Sequence, residues 1–189
     1  MLLIDPKMVE LSPYNGIAHL TRPVVTDSAQ AVSALEGAVV EMETRYRAFM
    51  GCGAEELTDY NRGAKFPFPR LLIVIDELAD LMMTSGKGVE ASIVRIAQKG
   101  RAAGIHLAVA TRRPSSDVMT GLMKANIPSR IAFTVASSLE SRIILDANGA
   151  EKLTGGGDML YAPMGDRKRV QGCYVSPEEV GKVVSFLKK

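Results

Sequence analysis

The chain has 189 residues, 47% of them hydrophobic and 23% charged, enough apolar mass for one compact domain spanning 1–189 with a substantial core. Its 23 basic and 21 acidic residues nearly cancel to a formal charge of +2, so bulk charge does not mark a nucleic-acid binder and only local clustering could build a positive surface. Cys52 and Cys173 are too few and too far apart for a disulfide framework or a structural zinc site, and the longest apolar run, Leu71 to Ile75, is far short of the ~18 residues a membrane-spanning helix needs.

In chain order, short apolar runs ending in polar residues alternate with longer amphipathic stretches, the pattern of a parallel sheet with crossover helices. Strands are predicted near Leu2 to Ile4, Leu71 to Ile75, Ile105 to Ala110, Arg130 to Val135, Asp158 to Tyr161 and Arg169 to Tyr174. The first four read as parallel core and the last two as a hairpin turning through Pro163 to Lys168. Asp27 or Ser28 caps a predicted helix running to about Met50, with Val32, Leu35, Val39, Met42, Tyr46 and Phe49 on its apolar face and Gly51 and Gly53 ending it. Asn61 to Arg70, with Gly63, Pro67 and Pro69, reads as a surface loop. A second helix is predicted over roughly Val89 to Ala103, and a last one after the Ser176-Pro177 cap.

The most informative stretch is Leu71-Leu72-Ile73-Val74-Ile75-Asp76-Glu77, five apolar residues ending abruptly in two carboxylates. Ligands of open parallel sheets sit beyond the carboxyl ends of the strands, so Asp76 is expected where a nucleotide's phosphates and Mg²⁺ can be held, directly or through water. Glu77 is then placed to orient the attacking water of phosphoryl transfer, the Walker B pattern of nucleotide hydrolases. The plain alternative is that both acids merely open a helix whose dipole favours negative charge.

Further segments separate these readings: Ile4-Asp5-Pro6-Lys7, Val25-Thr26-Asp27, Glu41-Met42-Glu43-Thr44-Arg45-Tyr46 and Asp76-Glu77-Leu78-Ala79-Asp80-Leu81-Met82-Met83. After them come Arg101-Ala102-Ala103-Gly104-Ile105-His106-Leu107, Lys124-Ala125-Asn126-Ile127-Pro128-Ser129-Arg130-Ile131-Ala132-Phe133, Ile144-Leu145-Asp146 and Gly157-Asp158-Met159-Leu160. In that order and spacing the chain resembles the motor domain of FtsK/SpoIIIE DNA translocases over nearly its whole length. The resemblance implies a RecA-like P-loop NTPase fold, an α/β three-layer αβα sandwich with a mostly parallel sheet. It also implies ATP and Mg²⁺ as ligands, double-stranded DNA as substrate and a homo-hexameric ring. The protein so implied is bacterial, works in chromosome partition at division or sporulation, and carries this part as a cytoplasmic domain behind a membrane anchor.

Departures from the family pattern are equally specific. No Gly-x-x-x-x-Gly-Lys-Ser/Thr occurs anywhere; Ser85-Gly86-Lys87-Gly88 lacks the first glycine and the final hydroxyl, and Gly155-Gly156-Gly157 lacks the lysine. The family places its P-loop and following helix before the Ile-Asp-Pro-Lys strand, so the chain reads as N-terminally truncated, and alone it is expected to bind ATP poorly and hydrolyse it negligibly. At Ala110-Thr111-Arg112-Arg113-Pro114 the family usually has glutamine where Arg112 stands. An amide donates and accepts, whereas guanidinium only donates. Ser138 stands where many relatives carry a basic residue.

By the same resemblance Arg101 is the candidate arginine finger, with Arg130 its rival and a helix C-terminal cation the plain reading. Thr111 and Arg112 are candidates for sensing nucleotide. Arg113, Lys124 and Arg142 fall in or beside segments that relatives use as pore loops, where Lys and Arg hold phosphates without reading sequence. Arg167-Lys168-Arg169 reads as a hairpin tip. The competing readings are a related ring ATPase of conjugation or protein secretion, and an inert structural fragment.

Overall fold

The computed structural model describes residues 1–164 and 166–188, which form two compact units, 1–112 and 113–187. In the first unit the order is β1 (Leu2–Ile4), α1 (Ser28–Cys52), α2 (Leu57–Gly63), β2 (Leu71–Ile75), α3 (Leu78–Lys99) and β3 (Ile105–Val109). The three strands form one parallel sheet in the order β1-β2-β3, with Leu2 beside Ile73 and Leu71 beside Ile105. Parallel pairing demands crossover connections, and α1 and α3 supply them. The α/β class read from the sequence holds here.

Helix α1 starts where Asp27 accepts the Gln30 amide through its side chain and ends at Gly53, whose φ of 74° closes the last turn. Its buried face, including Leu35, Val39, Met42 and Phe49, packs against α3. Helix α3 begins eleven residues earlier than its apolar period suggests, because Glu77 caps it. Ser85, at φ −145° and ψ 32°, breaks its ladder, so the Ser85 to Gly88 glycines serve a kink inside a helix rather than a phosphate-binding turn. The expected loop after Asn61 is also shorter than predicted: α2 occupies its first residues, and Asn61 then holds Phe68 through paired side-chain bonds of 2.8 and 2.9 Å.

The second unit runs α4 (Gly121–Asn126), β4 (Arg130–Ala132), α5 (Ser138–Leu145), β5 (Asp158–Ala162), β6 (Lys168–Gln171) and α6 (Pro177–Leu187). The expectation that the strand at Arg130 belongs to a parallel core is overturned: β4 pairs antiparallel with β5, and β5 with β6. Burial explains the error. A parallel core strand is covered on both faces, but here Ile131 is 50% and Phe133 54% exposed while Ala132 alone is buried. Ala132 joins Leu145, Ala150 and Leu153 in a small core of this unit. The β5–β6 hairpin is as expected, though Gly165 in its turn lies outside the described residues. Arg169 grips buried Asp158 in a two-point ion pair of 2.9 and 2.7 Å, holding that carboxyl far below the usual range. Besides α2, two helices of this unit escaped the sequence reading: α4, capped by Thr120, and α5, capped by a reciprocal Ser137–Glu140 box.

Candidate active site

The register puts Ile4, Ile75 and Val109 side by side, so the residues that follow each strand emerge together at one rim of the sheet. Backbone bonds knit that rim: Asp76 N–H donates to Ile4 O (3.0 Å), Ala110 N–H to Ile75 O (2.9 Å) and Leu78 N–H to Ala110 O (2.8 Å). Asp5, Asp76, Glu77, Thr111 and Arg112 are therefore neighbours by topology, although up to 107 positions separate them in the chain.

Glu77 is the centre of the arrangement. It is 1% exposed, and its carboxylate accepts from the Thr111 hydroxyl (2.6 Å), the Ala79 amide (3.2 Å) and the Arg112 amide (3.4 and 3.3 Å to its two oxygens). Lys7 Nζ lies 3.4 Å from Oε2 and 3.6 Å from Asp80. A buried carboxylate without such partners would protonate. Burial by itself pushes Glu77 up; the Thr111 hydroxyl, the Arg112 and Ala79 amides and the Lys7 ammonium together outweigh it and hold the group below its ordinary value. Capping α3 and serving as a site carboxylate are thus one arrangement, not alternatives.

Asp76 is placed differently. It is half-buried, and its carboxyl is held above the usual range first by burial and then by the charge of Asp5, with Glu10 and Glu77 adding and Arg112 opposing. Such a carboxylate suits a hard divalent cation, whose charge would relieve the repulsion. Among the described residues no three His, Cys, Asp or Glu side chains converge to hold an ion by themselves. That fits Mg²⁺, which uses one or two carboxylates and fills its remaining positions with water and phosphate.

The opposed shifts give a direct test. In a carboxyl-carbon NMR titration Asp76 is expected to take up its proton above the ordinary aspartate range and Glu77 below the ordinary glutamate range. The linkage signs differ accordingly. Glu77 contributes stability above the ordinary glutamate pKa, lost as pH falls through its lowered folded value. Asp76 binds its proton more tightly when folded, so stability declines as pH rises from the ordinary aspartate value through the raised one. A lowered Asp76 or a raised Glu77 would refute this account of the rim.

Of the residues singled out by sequence, the structure brings together Asp76, Glu77, Thr111 and Arg112. Arg112 sends its guanidinium to Glu10, 2.8 Å away. Arg101 lies elsewhere, exposed in the turn before β3, at the opposite end of strands roughly 17 Å long by their five-residue span. That turn is held from three sides: Tyr46 Oη donates to Lys99 O (2.7 Å), the Leu57 amide to Ala102 O (2.8 Å) and Arg45 Nη1 to Ala103 O (2.8 Å). Gly104 closes it at φ +70°, and a Cβ there would stand 2.2 Å from a Leu57 methyl.

Arg113, Lys124 and Arg142 belong to the second unit. Arg113 and Arg142 are exposed. Lys124 is paired with Asp146, which also holds Arg130 at 2.6 Å. Arg130 further donates to the carbonyls of Lys124, Ile127 and Ile144, so it ties the ends of α4 and α5 together. Sequence reasoning assigned nothing to Asp5, Lys7 or Glu10. The signal was present for Asp5, since Leu2-Leu3-Ile4-Asp5 repeats in short form the apolar run ending in an acid at Asp76.

The FtsK/SpoIIIE family model matches residues 1–67 and 62–116. The chain is 55% identical over 199 aligned residues to the DNA translocase SpoIIIE of Bacillus subtilis (strain 168), covering 99% of this chain and 25% of that protein. It is 56% identical to the DNA translocase FtsK of Caldanaerobacter subterraneus subsp. tengcongensis, covering 100% of this chain and 27% of that one. The chain thus spans about a quarter of the length of these curated relatives. Among solved structures, the pCW3 conjugation coupling protein TcpA, in monomer form with ATPγS, superposes with a TM-score of 0.88 at 27% identity, over 100% of this chain and 56% of that one. The cytoplasmic domain of the Thermomonospora curvata type VII secretion ATPase EccC superposes at 0.78 with 22% identity, over 98% and 24% of the two chains, and shows the fold alone.

Proposed function

Because the chain belongs to the FtsK/SpoIIIE family, we propose that it is most of the nucleotide-hydrolysing core of an ATP-driven, double-stranded DNA translocase. The observation that carries this reading is Glu77: a 1% exposed carboxylate kept ionised by four donors beside a half-buried Asp76 whose carboxyl is held above its usual range, at the rim of a parallel sheet. Neither packing nor helix capping calls for both.

In this reading Asp76 would hold Mg²⁺. When bound, the metal and nucleotide would supply a polarised γ-phosphoryl group. Glu77 orients and polarises the attacking water, and Thr111, at 2.6 Å, fixes the rotamer in which it does so. Arg101 serves another subunit's nucleotide, since its own rim lies at the far end of the strands; that requires an assembly, which the family resemblance makes a ring of six. The phosphate cradle comes from a segment outside residues 1–189, and this chain alone is inactive. Within the whole protein the motor moves DNA during chromosome partition, as a cytoplasmic part of a membrane-anchored bacterial protein. A conjugative or secretory role is the weaker alternative, because the similarity to TcpA is 27% against 55% to SpoIIIE.

The test is ATP turnover by the motor completed with a P-loop upstream of Met1, which duplex DNA should stimulate; turnover indifferent to DNA refutes the translocase reading. Exposed Arg113 and Arg142 are expected to touch phosphates. Replacing both by alanine should flatten the slope of log affinity against log salt by roughly 0.9 for each phosphate no longer neutralised. Lys124 has first to leave Asp146, so its substitution should change the slope less than that of Arg142. An unaltered slope in the double variant removes both arginines from the DNA surface.

A further inference from the structure

Arg112 and Glu10 face each other across the rim on backbones that cannot easily move. The Arg112 amide is bonded to both oxygens of Glu77. Glu10 sits in the segment after β1 that buried Asp5 ties down, accepting the Lys7 amide at 3.1 Å and the Leu11 amide at 2.9 Å. The side chains, by contrast, are open to solvent: 67% exposed for Arg112 and 50% for Glu10, joined by one bond of 2.8 Å. Such an exposed pair contributes little net stability and is readily exchanged.

Four carboxylates, Asp5, Glu10, Asp76 and Glu77, gather at this rim, and Lys7 and Arg112 are cations that face them. An anionic polyphosphate approaching it meets repulsion from all four. Lys7 is committed between Glu77 and Asp80. Arg112 is the cation whose partner is the most exposed of the rim acids and whose planar fork matches phosphate oxygens.

We propose that Arg112 is a phosphate ligand held in reserve by Glu10, exchanging that carboxylate for a phosphate oxygen of the nucleotide when the site is loaded. Glu10 is then both a holder and a competitor. With the site empty it keeps the guanidinium beside Asp76 and Glu77. With nucleotide present it lowers affinity by the fraction of time it retains the arginine. The exchange rests on the nucleotide-site reading of the rim, but it concerns binding through Arg112 and not hydrolysis through Glu77.

NMR on the motor completed with a P-loop upstream of Met1 tests it, following the Arg112 Nε–H resonance, identified by its loss in Arg112→Gln. The probes are MgATP and inorganic tripolyphosphate at millimolar concentration, with sodium chloride at matched ionic strength as the control. Both phosphate probes, but not chloride, are expected to shift that resonance. Glu10→Gln should tighten the fitted affinity roughly threefold to tenfold, within the range of ordinary coupling between two groups, and that gain should largely vanish when Arg112→Gln is also present. Because both side chains are exposed, neither variant is expected to perturb folding. An equal gain from Glu10→Gln in both backgrounds would reduce Glu10 to a diffuse charge effect and overturn the exchange. So would an Arg112 resonance that responds only as it does to chloride. A completed motor that needs no Glu77 would instead defeat the catalytic reading, leaving this exchange standing.

Discussion

Glu77→Gln in the completed motor is expected to lose about 10²–10³-fold of its DNA-stimulated turnover, the scale of removing a positioned general base. The chemistry of the change is specific. An amide oxygen still accepts from Thr111 and Ala79, so the rotamer and the start of α3 survive. The amide nitrogen, however, turns N–H groups toward Lys7 and the Arg112 amide, which lie 3.3–3.4 Å from the present carboxylate. Two charge-assisted bonds disappear, and the folded state should weaken by about 1–2 kcal/mol. Turnover and stability therefore separate: a variant that melts a few degrees early yet is catalytically dead supports a chemical role. Full turnover in a well-folded Glu77→Gln protein would remove Glu77 from the mechanism, and Asp76 would have to serve alone.

Arg45→Ala should destabilise the chain by about 2–4 kcal/mol, although Arg45 touches nothing at the rim. Arg45 is 2% exposed, and its guanidinium donates to Ala103 O (2.8 Å) and Glu41 (2.9 Å) and lies over the Phe68 ring. Alanine would leave a buried carbonyl without a donor and a void beside an aromatic ring, each a recognised source of large destabilisation. For a protein of this size the melting temperature should fall by roughly 5–12 °C. Because Ala103 belongs to the turn that carries Arg101, the same substitution should depress turnover only in assembled motor, where that arginine has a partner nucleotide to reach. Arg45→Lys, which keeps the charge but cannot bridge both acceptors, should lie between. A melting temperature within about 1 °C of the parent would show that the clamp is dispensable.

The carboxylate pair was legible from Leu71 to Glu77 because burial of five successive residues leaves a strand no polar outlet until its end. The start of α1 at Asp27 or Ser28 and its end at Gly51 and Gly53 were legible for the same kind of reason, since capping chemistry is local. What eluded the pattern depended on partners distant in sequence. Lys7 and Glu10 look like surface charges until the β1–β2–β3 register delivers them to Glu77 and Arg112.

Hydrophobic periodicity and terminal acids determined, by themselves, that this chain builds α/β layers and that Asp76 and Glu77 stand at the exit of a buried strand. They could do so because burial and capping act within a few residues of their cause. Only the tertiary structure decided that Arg130–Ala132 pairs antiparallel, that Lys124 is engaged by Asp146, and that Arg101 is remote from its own rim. Strand partners and ion pairs are chosen between segments tens of residues apart, where no local preference of the chain can reach.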